Sequence, residues 1–155
     1  MTKKPDFDLK AANKYFSATC FNQTWDYMDK PTRTKGDDDT MLSLSLASLW
    51  HWTQREDCTS TNLSIGYWQV SRVFALLRQA DNARHYGELC LEASLKEGVP
   101  AYHLGTAYEA MARAEQVAGD LEKVEHFLAQ ARQVADSLAD PEEKKMLLSD
   151  LATIR

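Results

Sequence analysis

The chain has 155 residues, of which 44% are hydrophobic and 26% charged, and these values fit one compact globular domain. Its net charge of -5 argues against direct nucleic-acid binding, because a phosphate-binding surface needs an excess of basic residues. The three cysteines are widely spaced and indicate neither a disulfide framework nor a zinc site, and no apolar run is long enough to span a membrane. We therefore expect a cytoplasmic protein that contacts neither nucleic acid nor membrane directly.

Capping residues, glycines and prolines divide the chain into seven predicted helices. In "AGDLEK", Gly119 ends one helix and Asp120 caps the next, and in "DPEEKK", Asp140 precedes Pro141 at the first helical position. No segment shows the period-two alternation of β-branched residues that marks a strand, so we expect no sheet. The predicted helices cover residues 8–29, 38–56, 63–78, 81–97, 100–118, 121–138 and 141–153.

Three consecutive acids, Asp37, Asp38 and Asp39, precede or begin the second helix. Their carboxylates are the oxygen ligands that Mg²⁺ and Ca²⁺ prefer, but the spacing of an EF-hand loop is absent. Acids at the start of a helix are favoured by the helix dipole and by capping. We therefore interpret the cluster as a helix start without a metal, and Asp81 as the cap of the fourth helix.

Two of the predicted helix pairs repeat, with an offset of 41 residues. Residues of similar size recur at equivalent positions, in the pairs Tyr67 and Tyr108, Val70 and Met111, Ser71 and Ala112, Ala83 and Val124, Tyr86 and Phe127, and Cys90 and Ala131. At these positions the chain resembles the tetratricopeptide repeat (TPR), in which small residues occur where two helices cross closely. The second copy keeps a Gly-Asp turn, whereas the first has Arg78-Gln79 there, and Gly87 stands where the repeat has a larger residue.

This resemblance implies an all-α, right-handed superhelical stack of antiparallel helix pairs in a single domain, residues 1–155. The pairs would be 8–56, 63–97 and 100–138, closed by a capping helix, 141–153. The run "FNQTWDYMDKPTRTKGDDDTMLSLSLASLWHW" also resembles a family of small bacterial cytoplasmic proteins without an assigned activity. The capping helix carries an apolar stripe that would cover the last pair or join a second copy as a homodimer, and this stripe comprises Met146, Leu147, Leu148 and Leu151.

In a TPR stack, the first helices of successive pairs line a concave groove that binds other polypeptides. The positions that line the groove correspond here to Ile65, Trp68, Arg72 and Leu76 in one helix and to Thr106, Glu109, Arg113 and Gln116 in the next. Tryptophan and arginine are frequent at binding hot spots. The first predicted function is therefore non-enzymatic binding of a protein or peptide through Trp68, Arg72, Glu109, Arg113 and Gln116. The alternative is that Trp68 packs internally and that Arg72 pairs with Glu109.

Two other functions stay open at this point. The first is a small-ligand or enzymatic pocket with aromatic walls around Trp25, His51, Trp52 and Trp68, although a histidine beside the core stripe Leu42, Leu46 and Leu49 is more often buried and hydrogen-bonded. The second is a sensor component of a transcriptional regulator, which would need a separate DNA-binding partner.

No catalytic motif and no phosphate-binding loop occurs, so we expect no cofactor. His85 and His126 are equivalent in the repeat, and both are expected on the solvent side.

Overall fold

The computed structural model describes residues 6–155, and in that range every regular element is an α-helix. This confirms the all-α prediction for the described residues, and each helix lies within three residues of its predicted bounds. No described helix has the length and apolar character needed to cross a lipid bilayer. The helices are α1 (Leu9–Met28), α2 (Lys35–Thr53), α3 (Ser60–Leu76), α4 (Ala80–Ser94), α5 (Ala101–Ala118), α6 (Leu121–Ser137) and α7 (Pro141–Leu151).

Helix α2 begins before the acidic cluster because Thr34, three residues upstream of Asp37, is its N-cap. The Thr34 hydroxyl accepts from the Asp37 backbone N–H at 3.1 Å, and the Asp37 carboxylate accepts from the Thr34 N–H at 2.9 Å. Lys30 Nζ lies 2.6 Å from Asp37, and this contact together with the Thr34 N–H lowers the pKa of Asp37 to about 2. The predicted start at residue 38 was therefore three residues late, but Asp37 and Asp38 do lie in the first turn.

By internal contacts the described chain divides into two compact units, unit 1 (Met1–Cys58) and unit 2 (Thr59–Arg155), which are described separately. In unit 1, α1 and α2 form an antiparallel pair. Its buried residues include four small polar ones, Ser17, Thr24, Ser45 and Ser48, and three hydrophobic ones, Cys20, Met41 and Leu49. Ser48 donates to the Ser17 carbonyl at 2.7 Å, which brings the two backbones close together. Of the predicted stripe, Leu49 is buried, whereas Leu42 and Leu46 are half-buried.

In unit 2, α3 and α4 form one pair (copy one), α5 and α6 form a second (copy two), and α7 packs on α5 and α6. Equivalent positions make equivalent contacts. The ring centroids of Tyr67 and Tyr86 are 6.4 Å apart in copy one, and those of Tyr108 and Phe127 are 6.5 Å apart in copy two. The predicted crossing residues are buried in both copies, namely Ser71, Ala83 and Cys90 in copy one and Ala112, Val124 and Ala131 in copy two.

The turn inside each pair has the same left-handed backbone in both copies. Gly119 ends α5 with φ of 81°, and Arg78, at the equivalent position after α3, has φ of 58°. Glycine adopts this conformation without a steric penalty, whereas a residue with a Cβ does not. The absence of a Gly-Asp pair in copy one therefore changes the residue but not the path of the chain.

The contacts beside the helix crossings differ between the copies. In copy one, the Ser64 and Ser94 hydroxyls are 2.7 Å apart, and Cys90 Sγ donates to the Ser64 carbonyl at 3.3 Å. Burial raises the pKa of the Cys90 thiol to about 12. The equivalent residues of copy two carry no hydroxyl or thiol, and they are Gly105, Ala131 and Ala135. Hydrogen-bonded polar groups thus occupy, in copy one, the positions at which copy two has glycine and alanine, and Leu147 of α7 packs against Gly105.

Two glycines admit large side chains from neighbouring helices. A Cβ at Gly105 would overlap Leu147 of α7, and a Cβ at Gly87 would lie 2.8 Å from the sulfur of Met111. The absence of a side chain at Gly87 of copy one therefore leaves space for the Met111 side chain of copy two.

Helix α7 buries Leu147 and Leu151 and is followed by the buried Ile154. Met146 and Leu148 of the predicted stripe are exposed instead, because they lie on the side of α7 that faces away from this core.

Candidate functional site

The buried carboxylate of Glu109 contacts three of the other four residues predicted to bind a peptide. Glu109 lies on α5, and its side chain is 1% exposed. It accepts hydrogen bonds from Trp68 Nε1 at 2.9 Å and from Arg113 Nε at 2.6 Å, and Arg72 Nη1 lies 3.5 Å from it. The internal pairing of Arg72 with Glu109, which the sequence left open as an alternative to binding, is thus present.

The segment 150–155, at the end of α7 and beyond it, lies against these residues. Arg72 Nη1 is 3.3 Å from the Asp150 carboxylate. Arg113 Nη2 donates to the Asp150 carbonyl at 3.3 Å and to the Thr153 hydroxyl at 2.8 Å. Gln116 Nε2 donates to the Arg155 carbonyl at 2.7 Å. We call the surface formed by Trp68, Arg72, Glu109, Arg113 and Gln116 the α3–α5 face, and this face holds a stretch of the chain through two carbonyls, a carboxylate and a hydroxyl.

The charges on the α3–α5 face are balanced within the protein. Two guanidinium groups, on Arg72 and Arg113, stand against the carboxylates of Glu109 and Asp150. The Arg72 and Arg113 side chains are only 18% and 14% exposed, so their donors are directed toward fixed acceptors. A planar guanidinium held on one edge by a carboxylate presents its remaining N–H groups in a fixed direction. In this structure these N–H groups are directed at oxygens of Asp150 and Thr153.

Beside the α3–α5 face, at the C-terminal ends of α3 and α5, lies a cavity of about 240 Å³. Three of its wall residues are small or apolar, and three carry polar or charged groups: Ala75, Leu76, Val117, Arg78, Arg113 and Gln116. Arg78 is not among the site residues predicted from the sequence. Its position in the repeat could have indicated it, because a long cationic side chain occupies the place at which copy two has Gly119.

Three residues of the alternative aromatic pocket, Trp25, His51 and Trp52, lie in unit 1. His51 Nδ1 is 2.8 Å from the Asn13 side-chain oxygen, and its ring centroid is 5.4 Å from that of Phe16. Trp25 lies nine residues beyond Phe16 on α1, which corresponds to about 14 Å along the helix. The Trp52 ring is covered by the Arg55 guanidinium at 3.9 Å. Trp68, the fourth residue of this set, belongs to unit 2.

Unit 1 contains a larger cavity, of about 400 Å³, between the start of α1 and the end of α2. Several of its charged wall residues are paired with each other: Lys10 Nζ lies 2.8 Å from Glu56, and Arg55 Nη2 lies 2.7 Å from Asp57. Arg55 also donates to the Ser17 hydroxyl at 3.0 Å. These contacts join the two ends of the helix pair, so the cavity is bordered by charges that already have partners.

The remaining candidate groups lie apart from each other. His85 and His126 are exposed, as predicted, and each ring packs edge-on against the aromatic residue that follows it. Within residues 6–155, no three His, Cys, Asp or Glu side chains are grouped so that they could hold a metal ion.

Comparison with protein-family models, with curated proteins and with solved structures finds no match for this chain.

Proposed function

We propose that this protein is a non-enzymatic peptide-binding module whose α3–α5 face receives a segment of a partner protein. One observation carries the proposal: the α3–α5 face already holds residues 150–155 by donating to the carbonyls of Asp150 and Arg155 and to the Asp150 carboxylate. Contacts to main-chain oxygens depend little on sequence. A partner segment that presents a similar row of oxygens would meet the same donors when it takes the place of residues 150–155.

The buried Glu109 favours binding because it fixes the donors in advance. Arg113 and Trp68 are hydrogen-bonded to Glu109, so little side-chain freedom is left to lose when a peptide binds. The Arg72 guanidinium lies 5.5 Å from the centre of the Trp68 ring, which restricts it further. Pre-ordered donors of this kind typically give affinity to an otherwise small contact area.

The proposal includes the arrangement and the location that the sequence suggested. The two equivalent helix pairs of unit 2 would form part of a right-handed TPR-like superhelix, with the α3–α5 face on its concave side. The module would act in the bacterial cytoplasm, consistent with Cys20, Cys58 and Cys90, none of which forms a disulfide with another described residue. A second copy of the chain stays a possible partner through the exposed Met146 and Leu148.

The proposal is tested by selecting peptides from a displayed random library against the full chain and mapping the selected peptide by NMR. We expect backbone shifts at Trp68, Arg72, Arg113 and Gln116. Trp68→Phe, which removes the indole N–H, and Arg72→Lys, which removes the planar fork, should each weaken binding at least about tenfold. His85→Ala and His126→Ala are matched controls on exposed positions of α4 and α6 and should leave affinity unchanged. Shifts confined to unit 1, or a selection without any enriched peptide, would contradict the proposal.

A further inference from the structure

Within the proposed peptide-binding function, on which this inference rests, we infer that the 240 Å³ cavity beside the α3–α5 face is a subsite for an acidic side chain of the bound peptide, with Arg78 as the cation that contacts it. Leu76 and Val117 form the apolar walls of this subsite. The ligand is an Asp or Glu carboxylate that follows an apolar residue in a partner peptide.

The backbone at Arg78 supports a role for its side chain. Arg78 follows α3 in the left-handed region, with φ of 58°, and the turn is closed by a hydrogen bond of 2.9 Å from the Gln79 N–H to the Phe74 carbonyl. Gly119 makes the equivalent turn in copy two, with the corresponding bond of 3.1 Å from the Asp120 N–H to the Glu115 carbonyl. The turn therefore needs no side chain, and a non-glycine residue adds strain there. The Arg78 side chain has a use other than closing the turn.

The charge of Arg78 also supports the subsite. Two other arginines of unit 2 pair with buried acids: Arg84 with Glu115 at 2.6 Å, and Arg113 with Glu109. Arg78 is exposed and has no ion pair with any residue in the described part of the chain. Its positive charge at the rim of the cavity is available to an outside carboxylate, and a charge-assisted hydrogen bond to guanidinium is among the stronger polar contacts.

The size and position of the cavity support the same subsite. Its volume of about 240 Å³ is below the roughly 300–1,000 Å³ of small-molecule pockets, and it suits one side chain of a longer ligand. Gln116 lines the cavity and also holds the Arg155 carbonyl, so the cavity continues the line along α5 that residues 150–155 follow. Leu76, which is 38% exposed, offers an apolar contact to the neighbouring residue of a peptide.

The test uses two blocked tetrapeptides, acetyl-Leu-Glu-Leu-Glu-amide and acetyl-Leu-Gln-Leu-Gln-amide, titrated into the ¹⁵N-labelled full chain. We expect the acidic peptide to shift the backbone amides of residues 76–79 and 117 in a saturable manner, and the glutamine peptide to bind at least about tenfold more weakly. Sodium acetate is the third arm. It carries the same carboxylate without the apolar neighbour and should bind more weakly than the acidic peptide.

The deciding variant is Arg78→Gly, because it gives two opposite effects. Glycine relieves the left-handed strain, so the melting temperature should rise by about 2–4 °C, while the affinity for the acidic peptide should fall at least about tenfold. Arg78→Gln removes the charge but keeps a Cβ, so it should lose the same affinity without the rise in melting temperature. Arg132→Gln, a charge removal on the exposed side of α6, is the matched control and should change neither quantity.

The outcomes separate this inference from the proposed function. If the acidic peptide shifts Trp68 and Arg113 but binds Arg78→Gly as tightly as the natural chain, the subsite is wrong and the peptide-binding function stands. If acetate binds as tightly as the acidic peptide, the cavity is a general anion site and the peptide subsite is wrong. If the acidic peptide shifts no residue of the cavity, the subsite is wrong, and selection from the random library tests the peptide-binding function independently.

Discussion

The two helix pairs of unit 2 have equivalent geometry but different chemistry. Both place an aromatic pair at the same separation and both turn through a left-handed residue. Ser71 of copy one donates to the Ala83 carbonyl at 2.8 Å, whereas Ala112 of copy two has no such group to satisfy. The crossing therefore depends on the size of the residue, and a hydroxyl is tolerated because it finds an acceptor inside its own pair.

At two positions where the copies carry different residues, the side chain of copy two contacts copy one. Glu109 and Glu115 of copy two stand where copy one has Trp68 and Phe74. Both acids are buried and both are held by copy one: Glu109 by the Trp68 indole, and Glu115 by Arg84 through contacts of 2.6 and 3.1 Å. The bond to Glu115 raises the pKa of Arg84 above its ordinary value. Divergence between the copies thus provides complementary groups at their interface.

The largest expected effect comes from removing the charge of Glu109. Glu109→Gln leaves Arg72 and Arg113 beside a neutral amide, and we expect a loss of about 3 kcal/mol in the free energy of unfolding, because a buried ion pair broken on one side leaves uncompensated charge. Urea denaturation at pH 7 measures it. Glu125→Gln, at an exposed position of α6, is the control and should stay within about 0.5 kcal/mol. A loss below about 1 kcal/mol for Glu109→Gln would show that the copies are not held together at this carboxylate.

An intermediate effect is expected where α5 and α6 cross. Ala112 is fully buried, and Ala112→Leu should reduce the free energy of unfolding by about 1–3 kcal/mol through overpacking. Ala129→Leu adds the same side chain on the exposed side of α6 and should have little effect on the thermal or urea transition. If Ala112→Leu leaves the melting temperature unchanged, the correspondence of Ala112 with Ser71 has no structural meaning.

The smallest expected effect concerns the helix caps. Asp120 caps α6 by accepting from the Lys123 N–H at 3.1 Å, whereas Gln79, at the equivalent position before α4, makes no side-chain cap. Gln79→Asp should therefore raise the melting temperature by about 2–4 °C, and Asp120→Gln should lower it by a similar amount.

The cap at Asp120 also predicts a dependence on pH. The Lys123 N–H lowers the pKa of Asp120 below its ordinary 3.8, so the cap stabilises the fold fully above that value and is lost as the pH falls through the lower folded-state pKa. The difference in melting temperature between the natural chain and Asp120→Gln should be present at pH 6 and should decrease as the pH is lowered below about 4. A difference that does not change with pH would exclude capping by the ionised carboxylate.

The helices were predictable because their ends are set by local chemistry. Gly119, Asp120 and Asp140 act within one turn of the chain, and each has the role that its residue type predicts. The errors arise where two residues compete for a cap. Thr34 forms a capping box three residues before Asp37, and Thr59 forms one that starts α3 three residues before the predicted residue 63. Helix α4 begins after Gln79 without a side-chain cap, so Asp81 lies in its first turn and is not the predicted cap.

The members of the α3–α5 face and the pairing of Arg72 with Glu109 were predictable, but the burial of Glu109 was not. The repeat register places Trp68, Arg72, Glu109 and Arg113 on one side of two neighbouring helices. Nothing local shows that Glu109 is buried, because its spacing to Arg113 is equally typical of an exposed helix surface. Its burial depends on Trp68, 41 residues earlier, and on the approach of segment 150–155, about 40 residues later.

Alkylation of the buried, hydrogen-bonded thiol of Cys90 can be used to follow the opening of copy one. Alkylating reagents attack the thiolate, and a buried thiol with a pKa of about 12 has almost none at neutral pH. Cys90 should therefore become modified only during the moments when α3 and α4 separate. Mass spectrometry of a timed exposure to iodoacetamide, read at Cys90 against the half-buried Cys58, would then follow the population of the open state of this pair in the natural sequence, without any introduced label.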